Sequence, residues 1–180
     1  MLDDALLIWR LKRGRVDALR EIYDRHKAGL LKLAISLTGD VGLSEDVVQD
    51  VFVKLAESRD RIGIQGSLRN YLFACTVNRI RSLRRHEQCL RQTPLDGEQE
   101  ISARPGPEHW AVLNEQMQHL QAALAQLPPE QREAVALHFE AGLGFRQIAR
   151  IQGSSVHTSH GRYRYGIDKL RQLLNGEVSP

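Results

Sequence analysis

The chain has 180 residues, 42% of them hydrophobic, which is enough apolar material for the core of one medium domain or two small ones. Disorder throughout is excluded, and the apolar residues are dispersed, with no run near the roughly 18 positions that a membrane span needs. The start lacks the basic-then-apolar order of a signal peptide. Two cysteines, Cys75 and Cys89, are too few for a disulfide scaffold. We therefore expect a soluble, cytoplasmic protein without membrane insertion.

The formal net charge is only +3, but the charges are unevenly placed. Residues 68–91 contain six arginines and one acid, and residues 145–171 contain six basic side chains and one acid. Between them, residues 92–144 carry eight acids and two arginines. Two separate basic segments indicate two contacts with one polyanion.

Apolar residues recur at steps of three and four along nearly the whole chain, which predicts an all-α fold. The first helix is expected at 3–13 and the second at 16–37. A third is expected to begin at Ser44, a good N-cap residue, and to bury its valines. A fourth is expected to run from Ser67 to about Leu90.

Residues 92–107 are rich in proline, glycine and acids and show no apolar period, which is typical of a flexible linker. This predicts two small helical domains, an N-terminal helical bundle at 1–91 and a C-terminal helix-turn-helix domain at 108–180. The C-terminal domain is expected to open with a helix that Pro128 and Pro129 terminate. Its predicted apolar stripe consists of Trp110, Leu113, Met117, Leu120, Leu124 and Leu127.

The segment FRQIARIQ-GSS-VHTSHGRYRYGIDKLRQLL has the layout of a helix-turn-helix, with Gly153 in the turn. A helical wheel puts an apolar set on the inner side of its second helix: Val156, Tyr163, Ile167 and Leu170. The opposite side and its flanks predict a DNA-contacting face made of His157, Thr158, His160, Gly161, Arg162, Arg164 and Tyr165. A solvated amphipathic helix is the plainer alternative. His157 and His160 have the spacing of half a metal site, but suitably spaced further ligands are lacking, so no metal or cofactor is predicted.

In the helix from Ser67, the wheel groups Leu68, Leu72, Cys75 and Leu83 on one side. The far side carries Asn70, Asn78, Arg81 and Arg85, which could follow a phosphate backbone; a surface helix kept soluble by arginine is an equal alternative. Arg79 falls within the apolar stripe and must reach past it. In the acidic helix before it, the outward side carries Asp46, Gln49, Asp50 and an apolar Val53. That arrangement hints at a protein-docking surface, although single exposed apolar residues are common.

These segments resemble the sigma-70 type initiation factors of bacteria, specifically the small two-domain extracytoplasmic-function (ECF) group. SEDVVQDVF (44–52) is similar to the family's polymerase-docking helix, and LRNYLFACTVNRIRSLRR (68–85) to its promoter-melting helix. Residues 127–153 and 156–171 are similar to its minus-35-reading domain. The resemblance implies that the chain binds the RNA polymerase core and directs promoter-specific initiation, without catalysis of its own.

The resemblance also implies roles for particular residues. Contact with the clamp of the largest polymerase subunit would come from Asp46, Gln49, Asp50 and Val53. Asn78, with the loop 61–67, would hold a base flipped from the minus-10 strand, and the backbone would be held by Arg81, Arg84 and Arg85. An anti-sigma protein clamped between the two domains is a further expected partner.

Several residues depart from the family pattern. Ser82 stands where Asp is common, His160 where Lys or Arg is common, and Ser154 and Ser159 where aliphatic residues are usual. A buried hydroxyl without a partner costs roughly 1–3 kcal/mol, so we expect weaker packing of the helix-turn-helix and a divergent promoter preference.

Two other classes of function compete with this interpretation. The first is a helix-turn-helix regulator that acts outside the polymerase, in which the acidic helix would be dispensable. The second is an enzyme. The sequence shows no paired-carboxylate pocket, nucleophile motif or phosphate loop that would support this class.

Overall fold

The computed structural model describes residues 2–60, 67–92 and 115–176. These residues form eight α-helices and no strand, which confirms the all-α prediction. The helices are α1 (Leu2–Lys12), α2 (Val16–Thr38), α3 (Val41–Glu57), α4 (Leu68–Gln92), α5 (Glu115–Ala125), α6 (Pro129–Phe139), α7 (Phe145–Gln152) and α8 (Val156–Leu174). The predicted linker 92–107 lies outside the described residues except for Gln92, as do Trp110 and Leu113.

The N-terminal bundle forms where α2, α3 and α4 bury their apolar stripes against one another. Ile22, Val47 and Leu72 are almost fully inaccessible to solvent, and Tyr23 meets Phe52 edge to face with ring centroids 4.8 Å apart. Helix α1 adds Leu7 to this core. It also supplies Asp4, whose carboxylate accepts a hydrogen bond from the first backbone N–H of α4, at Leu68. Helix α1 therefore fixes the start of the helix that carries the first basic segment.

Helix α3 begins earlier than the sequence predicts. Its N-cap is Asp40, whose side chain accepts from the backbone N–H of Leu43 at 2.8 Å. The prediction that Ser44 caps the helix is wrong, because Ser44 is buried inside the first turn and its hydroxyl bonds the Asp40 carbonyl and the Thr38 hydroxyl. Both residue types cap helices well, and the left-handed turn at Gly39 (φ 75°) places Asp40 at the cap.

The helix-turn-helix is formed by α7 and α8. Helix α7 ends at Gly153, whose φ of 61° requires the left-handed conformation that glycine adopts without strain. Ser155 then caps α8 by accepting from the backbone N–H of Thr158 at 3.0 Å. Tyr163, Ile167 and Leu170 face the domain core as predicted. Val156 does not, since 46% of it is exposed at the open end of the helix.

The N-terminal bundle and the C-terminal domain pack directly against each other in this structure. Helix α6 lies on α2, and α7 contacts α4. One continuous apolar cluster includes Leu37 and Leu72 of the first domain together with Leu137 and Ile148 of the second. In this structure the two basic segments therefore lie on two domains that are in contact.

Packing of α8 onto α6 depends on the absence of a side chain at Gly166. A Cβ there would lie 2.9 Å from Cγ2 of Val135 and 3.4 Å from the Gln131 carbonyl oxygen. We expect Gly166→Ala to lower the free energy of unfolding by about 1 kcal/mol, because a clash of roughly 1–3 kcal/mol outweighs the helix gain of about 1 kcal/mol. Thermal unfolding measured by circular dichroism checks this.

The matched control is Gly161→Ala in the same helix, where a Cβ meets nothing within 4 Å. This variant should gain roughly 0.5–1 kcal/mol from helix propensity alone. Equal shifts for both variants would contradict the close contact between α6 and α8.

Candidate nucleic-acid and protein interfaces

The face predicted on α8 is an accessible surface in the structure. His157, Thr158, His160, Arg164 and Tyr165 are exposed. Gly161 and Arg162 are half-buried beside them. The seven predicted residues thus lie together on one outward surface of the second helix of the helix-turn-helix.

Contacts with neighbouring residues orient several of these side chains. The His160 ring meets Phe145 edge to face with centroids 4.8 Å apart. Arg162 donates to Oε1 of Gln152 at 3.2 Å, which holds the guanidinium near the turn. The Arg164 guanidinium lies over the Tyr165 ring, 5.2 Å from its centroid. Side chains on successive turns of α8 therefore carry positive charge or hydrogen-bonding groups. Such groups are the ones that contact phosphates and base edges.

The two serines expected to weaken the helix-turn-helix have partners. Ser159 is fully buried, its hydroxyl lies 2.8 Å from that of Ser154, and it donates to Oε1 of Gln152 at 3.2 Å. Gln152 in turn donates to the Glu130 carbonyl at 2.8 Å, linking the turn to α6. The expected cost of an unpaired hydroxyl therefore does not arise, and that expectation is wrong.

The candidate minus-10 residues on α4 fall into two groups. Asn78 and Arg85 are exposed. Arg81 and Arg84 are half-buried and bonded to their own chain. Of the loop 61–67, which the resemblance adds to this site, residues 61–66 lie outside the described residues.

Arg81 is held by the C-terminal domain. Its guanidinium donates to both carboxylate oxygens of Glu133, at 2.9 and 2.5 Å, and to the Ile151 carbonyl at 3.0 Å. Arg84 donates to the Leu37 carbonyl, which also accepts from Arg132 at 3.2 Å. In this conformation two of the three arginines expected to hold the minus-10 backbone are thus bonded within the chain, whereas the helical wheel predicted them on an open surface.

The candidate polymerase-docking residues of α3 also fall into two groups, those that line a groove and those that do not. Gln49 and Val53 line a groove of about 640 Å³ between α2 and α3, together with apolar side chains that include Leu19, Tyr23 and Phe52. Val53 is 46% exposed there. Asp46 is exposed at its side and does not line it. The groove offers a partner a largely apolar floor, and its charged lining residues are Arg20, Lys27 and Glu45.

Asp50 is engaged within the chain. It accepts from Nε of Arg79 at 2.6 Å, which explains how an arginine is accommodated in the apolar stripe of α4. The ion pair leaves 40% of the Asp50 side chain accessible. It joins the docking helix to the helix of the first basic segment.

Sequence reasoning missed Glu133 and the α2 side of the groove. Glu133 is the acid in a run of five consecutive buried residues, 133–137, and burial raises its pKa while Arg81 opposes that rise. A carboxylate inside an otherwise apolar stretch was the available signal, but its partner lies 52 residues away in the chain. On the α2 side, Leu19 and Tyr23 are partly buried against the core and also line the groove.

Cys75 packs against the core, and burial raises the pKa of its thiol, which disfavours the reactive thiolate. Across residues 2–60, 67–92 and 115–176, His, Cys, Asp and Glu form no group of three or more that could hold a metal ion. No helix in those same ranges is both long and apolar enough to cross a membrane.

Comparison with known proteins assigns both domains to families. The family model of Sigma-70 region 2 matches residues 22–89, and that of Sigma-70 region 4 matches residues 117–170. Together these matches cover most of the chain. Their order agrees with the position of the helical bundle before the helix-turn-helix.

Whole-chain relatives point the same way. The ECF RNA polymerase sigma factor SigL of Mycobacterium tuberculosis is 31% identical over 87% of this chain and 88% of its own length. The RNA polymerase sigma factor CarQ of Myxococcus xanthus is 29% identical over 94% of this chain and 95% of its own.

Among solved structures, CnrH in complex with the cytosolic domain of CnrY has the same fold with a TM-score of 0.72. The match has 24% identity and covers 96% of this chain and 97% of CnrH. Similarity extends across both domains in sequence and in structure. The chain therefore belongs to the ECF group of sigma-70 factors, which bind the RNA polymerase core and direct promoter-specific transcription initiation.

Proposed function

We propose that this sigma factor uses three separate surfaces: the groove between α2 and α3 for the polymerase clamp, α4 for the minus-10 element and α8 for the minus-35 element. The single observation that carries this proposal is the outward face of α8, where seven predicted DNA-contacting residues lie side by side on a helix-turn-helix. An α-helix fits the width of a major groove, where Arg164 could contact phosphate and the exposed polar side chains could reach base edges.

The groove between α2 and α3 is suited to a helix of the largest polymerase subunit. Its apolar floor, which includes Phe52 and Val53, would bury the apolar stripe of a partner helix. Asp46 and the accessible part of Asp50 would favour basic side chains on that helix. Gln49 lines the groove and supplies a hydrogen-bonding group inside it.

For the minus-10 element, we assign Asn78 to the flipped base and Arg81, Arg84 and Arg85 to the strand backbone. Flipping a base costs a few kcal/mol, so the pocket and the phosphate contacts must offset that cost. Asn78 and Arg85 are exposed and ready for this role. Arg81 takes part only when the C-terminal domain releases it, and Arg84 only when it leaves the Leu37 carbonyl of its own bundle.

The proposal includes no catalytic step for this chain. Side chains that bind bases and phosphates account for its role, and the polymerase carries out nucleotide transfer. We place this function in the cytoplasm, where polymerase and promoter meet.

An anti-sigma protein is a proposed further partner. CnrH was solved in complex with the cytosolic domain of CnrY, and the sigma factor RpoE of Bartonella quintana in complex with the anti-sigma factor NepR. Purification from the native host should recover such a partner with this chain. Recovery of the chain alone under all growth conditions would argue against it.

The experiment that tests the proposed function is reconstitution with core RNA polymerase. We expect the chain to bind core and to produce run-off transcripts from a promoter selected out of a genomic library. A helix-turn-helix regulator outside the polymerase would bind DNA without core and produce no transcript. Failure to bind core would reject the proposal.

Gly161 lies at the centre of the proposed minus-35 surface. We expect Gly161→Ala to weaken holoenzyme binding to the promoter by about tenfold, because a methyl group would separate the helix backbone from the base edges, while the protein itself becomes more stable. Fluorescence anisotropy with labelled promoter DNA measures the affinity. A variant that is more stable but binds the promoter with unchanged affinity would show that Gly161 is not part of the DNA-binding surface.

A further inference from the structure

The contact between the two domains contains an ion pair that uses a proposed DNA-binding arginine. Both carboxylate oxygens of Glu133 accept from Arg81, and the Ile151 carbonyl takes a third N–H of the same guanidinium. A bidentate arginine–carboxylate pair has the same donor geometry as a bidentate arginine–phosphate pair. Glu133 therefore occupies the position relative to Arg81 that a phosphate of the DNA backbone would take.

A second junction between the domains lies nearby. The carbonyl of Leu37, near the end of α2, accepts from Arg84 of α4 and from Arg132 of α6. The Arg132 bond crosses between the domains, whereas the Arg84 bond lies within the N-terminal bundle. Arg81, which is assigned to the minus-10 strand, is bonded directly to the C-terminal domain.

Glu133 cannot stay in this position as an isolated charge. Only 7% of the residue is exposed, and burial raises the pKa of its carboxyl group. Because a buried carboxylate without a cation is strongly unfavourable, the closed arrangement depends on Arg81 remaining in place. Withdrawal of Arg81 by another anion would leave Glu133 with the Gln152 side chain and the charge of Arg162 but without its bidentate partner, and would favour separation of the domains.

We propose that Glu133 is an internal competitor of promoter phosphate, which latches α6 onto α4 and masks Arg81 until the domains separate. This inference rests on the proposed function of α4 in binding the minus-10 strand. The groove between α2 and α3 contains no residue of either junction. The closed chain can therefore dock on the polymerase first and engage promoter DNA afterwards.

The test uses the full chain and three variants: Glu133→Arg, Arg81→Glu, and the charge swap that combines both. Small-angle X-ray scattering of the free protein reports whether the domains separate. Each single variant places like charges opposite each other. We therefore expect the fraction of molecules with separated domains to rise about tenfold or more, which is the effect expected from the loss of one charge-assisted hydrogen bond. The charge swap should restore the compact form.

DNA binding separates the latch from the role of Arg81. The probe is a single-stranded oligonucleotide that carries the minus-10 strand recovered from holoenzyme-protected DNA. Glu133→Arg should bind it about tenfold more tightly than the natural chain, whereas the charge swap should be compact and bind it weakly. Asp24→Arg makes the same change of charge at a residue with 68% of its side chain exposed, and should alter neither compactness nor binding to this extent.

The outcomes distinguish this inference from the proposed function. If both single variants fold by circular dichroism and remain as compact as the natural chain, the latch is refuted, whatever the DNA measurements show. Should Glu133→Arg not fold, Arg81→Glu provides the same reading, because Arg81 is half-buried at the edge of the contact. An expanded Glu133→Arg with unchanged oligonucleotide binding refutes the competition with phosphate. Run-off transcription by the Arg81→Ala holoenzyme tests the role of Arg81 on its own.

Discussion

Val53→Asp is expected to lower the affinity of the chain for core RNA polymerase by about thirtyfold or more, the effect of losing about 2 kcal/mol at the centre of an interface. Val53 lines the apolar groove between α2 and α3 and is accessible there. A carboxylate at this point would have to be buried by the docked polymerase helix, next to the negative charge of Asp46 and Asp50. Surface plasmon resonance with immobilised core measures the change.

The control for this prediction is Met117→Asp on α5. Met117 was expected in an apolar stripe but is 46% exposed, the same fraction as Val53, and it lies outside the groove. Both variants should unfold within about 0.5 kcal/mol of the natural chain, as is usual for surface positions. If the two variants lose core binding equally, or if Val53→Asp loses none, the polymerase does not dock at the groove.

The second large effect concerns salt. If basic side chains of this chain make roughly six phosphate contacts, promoter binding should weaken by about a thousandfold between 50 and 200 mM salt, because each contact releases condensed counterions. Arg164→Ala should reduce the slope of log affinity against log salt by about one, since Arg164 is exposed on the proposed minus-35 face. A salt titration of holoenzyme binding to promoter DNA gives both numbers.

Arg15→Ala is the matched control for Arg164→Ala, since Arg15 is also exposed, pairs with Asp17 and lies before α2, outside both basic segments. Its slope should equal that of the natural holoenzyme. A flat salt dependence, or the same slope for all three proteins, would exclude phosphate contact by α8.

Much of the fold could be predicted because its information is local. The apolar period of α2 and α4 and the glycine of the helix-turn-helix each act within a few residues, and the structure confirms the helices they predict. The predicted start of α3 is wrong because the local sequence offers two possible caps. Asp40 and Ser44 are both suitable caps, and only the turn at Gly39 decides between them.

The site was predicted in part, and the missing part is long-range. The outward face of α8 follows from one helical wheel, whereas the Arg81–Glu133 pair and the Arg79–Asp50 pair join residues far apart in the chain. A wheel assigns a charged side chain to solvent unless a partner is known. Arg81 was therefore expected on an open surface, and the structure instead places it against α6.

The most direct test of the central claim is to map the DNA that the reconstituted holoenzyme protects from nuclease at single-base resolution. We expect two protected elements upstream of one start site, with reactive unpaired bases in the downstream element. Variants of Arg164 should lose protection of the upstream element, and variants of Arg85 should lose protection of the downstream element. Protection of one palindromic site, with or without core polymerase, would contradict a role of this chain in reading a two-part promoter.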